Sequence, residues 1–257
     1  MTIFAIGDVI GDFGCKFLKS NLNLIREKEK IDLIIANGEN SSSGNGMTAA
    51  SSEYLLNCGV DVITGGNHTF KRRAFFNYLE KSVRIVRPAN YPEGTPGKGF
   101  LKFKFNNIKF CVINLVGTVY LEPVSCPFRT LDEILKKTSD CIIKIVDFHA
   151  EATSEKRALG FYADGRVSVI FGTHTHVQTS DEEILPRGTG YITDVGMTGA
   201  ANSVLGLKPE ISIKRMKEKI PIKYEHENHD PCKIEGAIFF IEENKGKTVK
   251  IKRIRII

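Results

Sequence analysis

Residues 3–40 read IFAIGDVIGDFGCKFLKSNLNLIREKEKIDLIIANGEN, and this stretch decides the class of fold. Residues 3–6 and 33–36 are short apolar runs of the kind found in buried strands. Between them, residues 13–30 place leucine and isoleucine on one face at helical spacing, which predicts an amphipathic helix. A strand, a helix and a second strand in this order predict a parallel pair with a helix covering the sheet.

The rest of the chain continues this alternation and adds antiparallel pairs. Further helices are predicted over residues 48–58, 71–80, 130–137 and 154–163. Thr48 is the expected N-cap of the first, and Thr130 is expected to open the third through a capping box. Two hairpins are predicted, one around Asn106 and Asn107 and one over residues 234–257. We therefore expect an α/β fold with mixed sheets, arranged as a four-layer α/β/β/α sandwich in a single domain of residues 1–257, with room for a small cap or loop insert around 70–130.

The composition indicates an ordinary globular chain with an excess of positive charge. Its 257 residues are 42% hydrophobic and 26% charged, and the formal net charge is +6. No apolar run approaches the ~18 residues of a transmembrane helix, and the first residues lack the basic region of a secretory signal. We therefore expect a cytoplasmic protein with no membrane partner and with reduced, mostly buried cysteines. We interpret the basic residues of 245–255 as a solvent-exposed edge strand. These residues therefore do not indicate a nucleic-acid partner.

Polar side chains of the metal-ligand type follow the predicted strands at the points where those strands end. They are Asp8, Glu39 with Asn40, Asn67 with His68, His149, and His174 with His176. In open α/β sheets ligands bind outside the carboxyl ends of the strands, so we expect these side chains to share one site. Each cluster alone is weak, since an aspartate after a strand is usually a turn residue or a helix cap. Their common position is what predicts a site.

The residue types favour a pair of metal ions. Carboxylate and amide oxygens combined with imidazole nitrogens, without thiolates, suit manganese, iron, zinc or cobalt. The candidate ligands are too many for one tetrahedral ion, whereas a two-metal site would use them with one bridging carboxylate. Glu39 is our choice for the bridge. His174 and His176 lie two residues apart, so in an extended segment both would face the same way and meet different ions.

The order of these clusters resembles the signature of the calcineurin-like metallophosphoesterases. Two departures from the broad superfamily fit a narrower branch: Asp8-Val9-Ile10 lacks the usual histidine, and Glu39 stands in place of an aspartate. That branch is the YmdB-like 2′,3′-cyclic nucleotide phosphodiesterases, in which the asparagine after the glutamate replaces the missing histidine. The motifs that carry the resemblance are GDVIG at 7–11, NGEN at 37–40, GGNH at 65–68, RPANYP at 87–92, HAE at 149–151, GTHTHVQT at 172–179 and DVGMTG at 194–199. Asp12 and Cys15 depart from the basic residues expected in the first loop.

The resemblance implies two bound ions, iron or manganese, with zinc, magnesium or cobalt as alternatives. It assigns Asp8, Glu39, Asn40 and His176 to the first ion, and Glu39, Asn67, His149 and His174 to the second. It also implies hydrolysis of 2′,3′-cyclic nucleotides to nucleoside monophosphates, and it allows a homo-oligomer. A hydroxide between the ions would attack phosphorus, and His68 would protonate the departing ribose oxygen as general acid.

Several readings of these residues stay open. His68 could instead orient a metal ligand through a hydrogen bond. The preferred substrate could be a 3′,5′-cyclic nucleotide or a phosphomonoester, and the site could serve a regulatory or RNA-associated ligand sensor.

Residues outside the metal-ligand clusters have weaker assignments. Asn90, Tyr91 and Thr198 are candidate substrate contacts, and the loop of Asn90 and Tyr91 could equally be a plain connector. Asp194 and Thr198 could support the ligands or form an anion site. His226 and His229 are expected on the surface.

Overall fold

Fourteen strands build two mixed sheets in the computed structural model, which describes residues 1–43, 45–105 and 107–257. In chain order the strands are β1 Thr2–Ile6, β2 Asp8–Val9, β3 Leu33–Asn37, β4 Val62–Thr64, β5 Ile85–Val86, β6 Phe100–Phe105, β7 Ile108–Val116, β8 Ile143–His149, β9 Val169–Thr173, β10 Glu183–Ile184, β11 Gly190–Ile192, β12 Met197–Ala200, β13 Cys232–Glu242 and β14 Lys247–Ile256. One sheet runs β2-β12-β13-β1-β3-β4-β5, with β14 also paired to β13. The other runs β10-β11-β9-β8-β7-β6.

The pairing directions match the predicted mixture of parallel and antiparallel strands. β1, β3, β4 and β5 are parallel neighbours, as are β7, β8, β9 and β11. Both predicted hairpins form, as the antiparallel pairs β6–β7 and β13–β14. Asn107 turns the first hairpin with a φ of 64°, whereas Asn106 lies outside the described residues. β14 pairs only with β13 among the described strands, so the basic residues of 245–255 do lie along a sheet edge.

In the part of the chain that the structure describes, six α-helices connect the strands. They are α1 Gly11–Glu29, α2 Ala49–Asn57, α3 Phe76–Lys81, α4 Pro127–Lys137, α5 Thr153–Ala163 and α6 Pro209–Glu218. Thr48 caps α2 as predicted, since its hydroxyl accepts the backbone N–H of Ser51 at 3.0 Å. The prediction that Thr130 opens a helix is wrong, because α4 already begins at Pro127. Proline lacks an N–H and has a helical φ, so it starts a helix without needing a capping side chain.

Successive side chains of β1 point to opposite faces of the sheet, and this alternation shows how the layers pack. Phe4 and Ile6 face α1 and pack with its Leu18 and Leu22, whereas the alternate residue Ile3 faces the second sheet. The interior between the sheets joins such residues to apolar side chains of β7, β8 and β9, among them Phe110, Ile145 and Phe171. A third cluster packs α4 and α5 on the outer face of the second sheet, through residues such as Leu131 and Leu159. The predicted four-layer α/β/β/α sandwich is therefore confirmed.

The stretch around residues 70–130 supplies β5 to one sheet and β6 and β7 to the other. A single domain with a small cap or loop insert in this stretch stays a prediction. All six cysteines are free thiols, and five of them are buried, as expected. No helix in the described part of the chain is long and apolar enough to span a membrane.

Candidate metal centre

The carboxyl ends of strands from both sheets meet at one edge of the sandwich and bring all eight predicted side chains together. The first sheet contributes Asp8 on β2 and the residues that follow β3 and β4, namely Glu39, Asn40, Asn67 and His68. The second sheet contributes His149 at the end of β8 and both histidines that follow β9, His174 and His176. A cavity of about 590 Å³ opens above them and is lined by Glu39, Asn40, His68, His174 and His176, among others.

Three acceptor atoms surround the Nε2 atom of His149. This nitrogen lies 2.9 Å from Asn67 Oδ1, 3.1 Å from His174 Nδ1 and 3.2 Å from Glu39 Oε1. A ring nitrogen carries at most one hydrogen, so a single N–H cannot satisfy three acceptors. A cation could do so, and one ligand atom each from Glu39, His149 and His174 lie within 4.8 Å of one another.

A second group of atoms surrounds the side-chain amide of Asn40. Its Nδ2 atom lies 3.3 Å from Asp8 Oδ1, 3.3 Å from Glu39 Oε1 and 3.4 Å from His176 Nε2. Its Oδ1 atom faces His68 Nδ1 at 2.9 Å. A 180° rotation of the amide would exchange the two atoms without changing its shape. The oxygen would then face the same three atoms, as a metal ligand must.

The Oε1 atom of Glu39 belongs to both groups, and its carboxylate is ionised. Burial alone would raise the pKa of Glu39, but the neighbouring imidazoles of His149 and His68 hold it well below its usual value. Burial would also raise the pKa of Asp8, but the neighbouring His176 outweighs this effect and lowers it. Two buried carboxylates therefore stay charged, which is the form that binds metal.

Burial and charge also set the protonation of the two central imidazoles. Burial and the adjacent His149 lower the pKa of His174 to about 3, so His174 is a neutral ligand-type imidazole. Burial would lower the pKa of His149 too, but the charge of Glu39 raises it to about 9. The negative charge of Glu39 therefore favours a positive charge at His149.

A chain of hydrogen bonds behind His149 fixes the orientation of its ring. His149 Nδ1 lies 2.9 Å from the Thr173 hydroxyl, which donates to Asp147 Oδ1 at 2.7 Å. Contacts of this type set the tautomer of metal-binding histidines and increase their basicity. Neither Thr173 nor Asp147 was predicted from the sequence. The available signal was a carboxylate inside the apolar run IKIVDFH, two residues before the histidine.

The two histidines after β9 adopt strained backbone conformations. His174 has a φ of 102° and His176 a φ of 61°, so the prediction of an extended segment is wrong. The chain bends at once after β9, and both rings still enter the site. Such conformations cost about 1–3 kcal/mol each and persist only where the surroundings hold them. Asp194 does so here, because its Oδ2 atom accepts the Thr175 backbone N–H at 3.1 Å and the Thr175 hydroxyl at 2.8 Å.

The far ring nitrogens of these histidines have partners of their own. His174 Nε2 lies 2.9 Å from Glu151 Oε2, and His176 Nδ1 lies 3.0 Å from the carbonyl oxygen of Leu205. The backbone N–H of His174 donates to Asp8 Oδ2 at 3.1 Å, which ties the two sheets together at the site. Glu151 also lines the cavity, although the sequence analysis assigned it no role.

The backbone at Gly66 passes close to Glu39 and His149, which bears on whether these residues could hold a metal ion. A Cβ atom at this position would lie 2.3 Å from Glu39 Oε2 and 2.4 Å from the ring of His149. Only glycine lets the backbone pass this close to the two side chains. The buried carboxylates, the neutral His174 and the convergent acceptors fit the donor set that a mixed oxygen–nitrogen metal centre requires.

His68 is placed differently from the ligands. Its Nδ1 atom lies 2.9 Å from Asn40 Oδ1 and 3.1 Å from Glu39 Oε1, and its backbone N–H donates to Glu39 Oε2 at 2.8 Å. The side chain is 24% exposed and lines the cavity. These contacts engage Nδ1 and leave Nε2 as the ring nitrogen available for proton transfer.

The three candidate substrate contacts do not line this cavity. Asn90 is buried, and its amide donates to the carbonyls of Val116 and Ser125 and accepts the Val116 N–H. It therefore anchors its loop and has no donor left for a ribose or base. Tyr91 packs against Phe70 with ring centroids 5.0 Å apart. Thr198 is fully buried on β12, and its hydroxyl has no partner among the described residues.

A wall of the cavity comes from residues that were not predicted to belong to the site. They are Leu205, Leu207, Lys223, Tyr224 and His226. The expectation that His226 is a surface residue is wrong. Its ring is partly buried, and a Cβ atom on residue 11 would lie 2.7 Å from its Nδ1 atom, which explains why a glycine occupies that position. His229, in contrast, is 86% exposed.

Comparisons with known proteins identify the family of this chain. Residues 4–254 match the YmdB-like protein family. A Bacillus subtilis protein named 2′,3′-cyclic-nucleotide 2′-phosphodiesterase is 44% identical over 257 residues, covering 100% of this chain and 97% of that protein. Among solved structures, a Mycoplasma pneumoniae protein described as a novel phosphatase superimposes with a TM-score of 0.95 at 38% identity, covering 100% of this chain and 93% of the other.

More distant structures share the fold alone. A putative 5′-nucleotidase from Staphylococcus aureus superimposes with a TM-score of 0.62 at 13% identity, covering 100% of this chain and 54% of the other. The superfamily resemblance that the motifs suggested is confirmed. The chain belongs to the YmdB-like family of proteins and has the metallophosphoesterase fold.

Proposed function

We propose that this enzyme is a phosphodiesterase that uses two metal ions to hydrolyse 2′,3′-cyclic nucleotides to nucleoside monophosphates. The observation that carries the proposal is the pair of acceptor groups that share Glu39 Oε1 on the floor of the cavity. The name of the Bacillus subtilis relative supports the substrate class. Phosphoesters suit such a site, because paired ions neutralise the charge that develops on phosphoryl oxygens.

The contacts support the division of ligands that the motifs imply. Asp8, Glu39, Asn40 and His176 would hold one ion, with the Asn40 amide rotated to present its oxygen. Glu39, Asn67, His149 and His174 would hold the other. Iron or manganese suits this oxygen–nitrogen set best, and zinc, magnesium and cobalt are the alternatives.

The ions would act as Lewis acids and lower the pKa of a bound water. Residues of the chain would position the substrate and supply the proton. Water adds to phosphorus, the bond between phosphorus and O2′ breaks, and O2′ takes up a proton, leaving a nucleoside 3′-phosphate. His68 would deliver this proton from Nε2, since its Nδ1 atom faces the side-chain amide of Asn40 in either orientation of that amide.

The decisive experiment is release of nucleoside monophosphate from 2′,3′-cyclic AMP by the purified protein, with added manganese and again after chelation. We expect turnover that chelation abolishes and manganese restores, because the carboxylates and imidazoles alone provide no strong nucleophile. The absence of turnover in a sample shown to carry two ions would contradict the proposal. Binding without turnover in that sample would instead indicate a ligand sensor.

A second candidate is a phosphomonoesterase, favoured by the description of the Mycoplasma pneumoniae structure as a phosphatase. The same ions would serve both reactions. Parallel assays on 2′,3′-cyclic AMP, 3′,5′-cyclic AMP and a nucleoside monophosphate separate the candidates. We expect the largest kcat/KM for the 2′,3′-cyclic substrate.

A further inference from the structure

A second cavity adjoins the first on the side away from the metal-ligand residues. Its volume is about 670 Å³, against about 590 Å³ for the first. Lys223, Tyr224 and His226 line both cavities, so these three residues form the wall that the two spaces share. A single pocket for a small molecule measures roughly 300–1,000 Å³. The first cavity alone therefore suffices for one nucleotide.

The lining of the second cavity has the character of a single-strand binding groove. Lys16, Lys208 and Lys223 provide positive charge, and Phe13 and Tyr224 provide aromatic surfaces. Two carboxylates are also present, Asp12 and Glu225, and the latter is paired with Lys208 at 2.7 Å. Cations that follow the phosphates, combined with aromatic rings on which bases stack, are how proteins bind single-stranded nucleic acid without reading its sequence.

Tyr224 is the aromatic residue best placed between the two spaces. It lines both of them and is 44% exposed. The guanidinium of Arg215 lies 4.2 Å from its ring centroid, which holds the ring in place and adds positive charge beside it. A base stacked on the other face of this ring would lie between the metal centre and the second cavity.

We propose that the second cavity binds the nucleotide that precedes a terminal 2′,3′-cyclic phosphate, so that the enzyme acts on the 3′ ends of single-stranded oligoribonucleotides. This inference rests on the proposed function of the metal centre. The terminal nucleotide occupies the first cavity, and the chain leaves it through its 5′ oxygen past Lys223 and Tyr224. Water adds to the terminal phosphorus, the bond to O2′ breaks and O2′ takes a proton. The product is an oligonucleotide with a 3′-phosphate.

The first test compares two substrates on the metal-loaded protein. We expect kcat/KM for an adenylate trimer ending in a 2′,3′-cyclic phosphate to exceed that for 2′,3′-cyclic AMP by at least about 5-fold, the effect of one additional stacked base. Equal or lower kcat/KM for the trimer would overturn the second-cavity proposal and leave the phosphodiesterase itself established.

Substitutions of residues that line the second cavity test whether the preference for the trimer arises there. Lys16→Glu and Phe13→Ala are each expected to lower the trimer-to-monomer ratio of kcat/KM by roughly 3- to 10-fold, because one phosphate or base contact is lost. Lys28→Glu is the matched control, since it makes the same charge change at an exposed position twelve residues further along α1, about 18 Å away. An unchanged ratio in Lys16→Glu and Phe13→Ala would contradict the assignment.

A binding measurement keeps the inference testable even without turnover. Fluorescence anisotropy with a labelled adenylate trimer ending in a 3′-phosphate should show binding that weakens as salt rises, and should weaken further in Lys16→Glu but not in Lys28→Glu. If neither substrate is hydrolysed but this pattern appears, the proposed function fails while the oligonucleotide site stands. If 2′,3′-cyclic AMP is hydrolysed and the trimer does not bind, the second-cavity assignment is refuted.

Discussion

Glu39 is the residue on which the proposed centre depends most, because its Oε1 atom is shared by both groups of ligand atoms. Glu39→Gln keeps the shape and removes the charge that two cations would share. We expect the variant to lose most of its bound metal and at least about 100-fold in turnover. Metal content by mass spectrometry and turnover of 2′,3′-cyclic AMP check this. Glu133→Gln, at an exposed position on α4, is the matched control and should retain both.

Substitution of His68 tests whether proton transfer can be lost while metal binding is kept. His68→Ala is expected to leave metal content near that of the wild type and to lower kcat by roughly 10²- to 10⁴-fold, the usual contribution of a general acid. A substrate with a better leaving group than a ribose oxygen should recover much of the loss, since such a group departs without a proton. Full activity on 2′,3′-cyclic AMP at saturating metal would rule out the role.

At the scale of elements, a buried ion pair joins α5 to Asp194, which lies between β11 and β12 and also holds Thr175 between the two histidines. Lys156 Nζ lies 2.8 Å from Asp194 Oδ2, and the two side chains are 2% and 0% exposed. Lys156→Met leaves this carboxylate buried without its cation, so we expect it to lower the free energy of unfolding by about 3–5 kcal/mol. Urea denaturation measures the loss.

Two further variants show whether the lost charge pairing is the cause. Lys156→Met combined with Asp194→Asn should recover part of the stability, because no unpaired charge remains. Lys102→Met, which breaks an exposed pair with Asp140, should leave the denaturation midpoint almost unchanged. A similar loss in both single variants would show that burial of the Lys156–Asp194 pair is not the cause.

The sequence predicted the elements and ligands that local patterns encode. Apolar runs located the longer strands but not the short β2, β5, β10 and β12. Polar residues directly after the predicted strands located the eight side chains that lie together at the cavity, because a parallel sheet brings strand ends to one edge. The start of α4 was missed because Pro127 replaces a capping side chain. The wall formed by Lys223, Tyr224 and His226 could not be predicted, since a charged segment remote in sequence from the motifs reaches the cavity only through tertiary folding.

At the scale of the whole molecule, metal binding should stabilise a fold that does not depend on it. Three apolar clusters hold the four layers together, and the ligands lie at one edge of the sandwich. Binding at a metal concentration of about 100 times Kd contributes roughly 2.7 kcal/mol. For a chain of this size we expect the Tm to rise by roughly 5–10 °C on adding manganese to chelated protein.

Thermal scans at several manganese concentrations test this. The chelated protein should still unfold in one cooperative transition, and Glu39→Gln should show little of the shift. A chelated protein without a transition would mean that the ions are required for folding. An equal shift in the variant would place the stabilising ions elsewhere.

Strand β13 has a consequence for how the protein emerges during synthesis. It lies between β14 on one edge and β1 and β12 on the other, pairing Thr2 with Phe240 across the whole sequence. The ribosome delivers β1 early, yet the central neighbour of this strand is not made until residues 232–242. The exposed edge of β1 must therefore stay unpaired until residues 232–242 have been made. A nascent chain halted before residue 232 would carry every proposed metal ligand and still offer an open strand edge, to which chaperones or other nascent chains could bind.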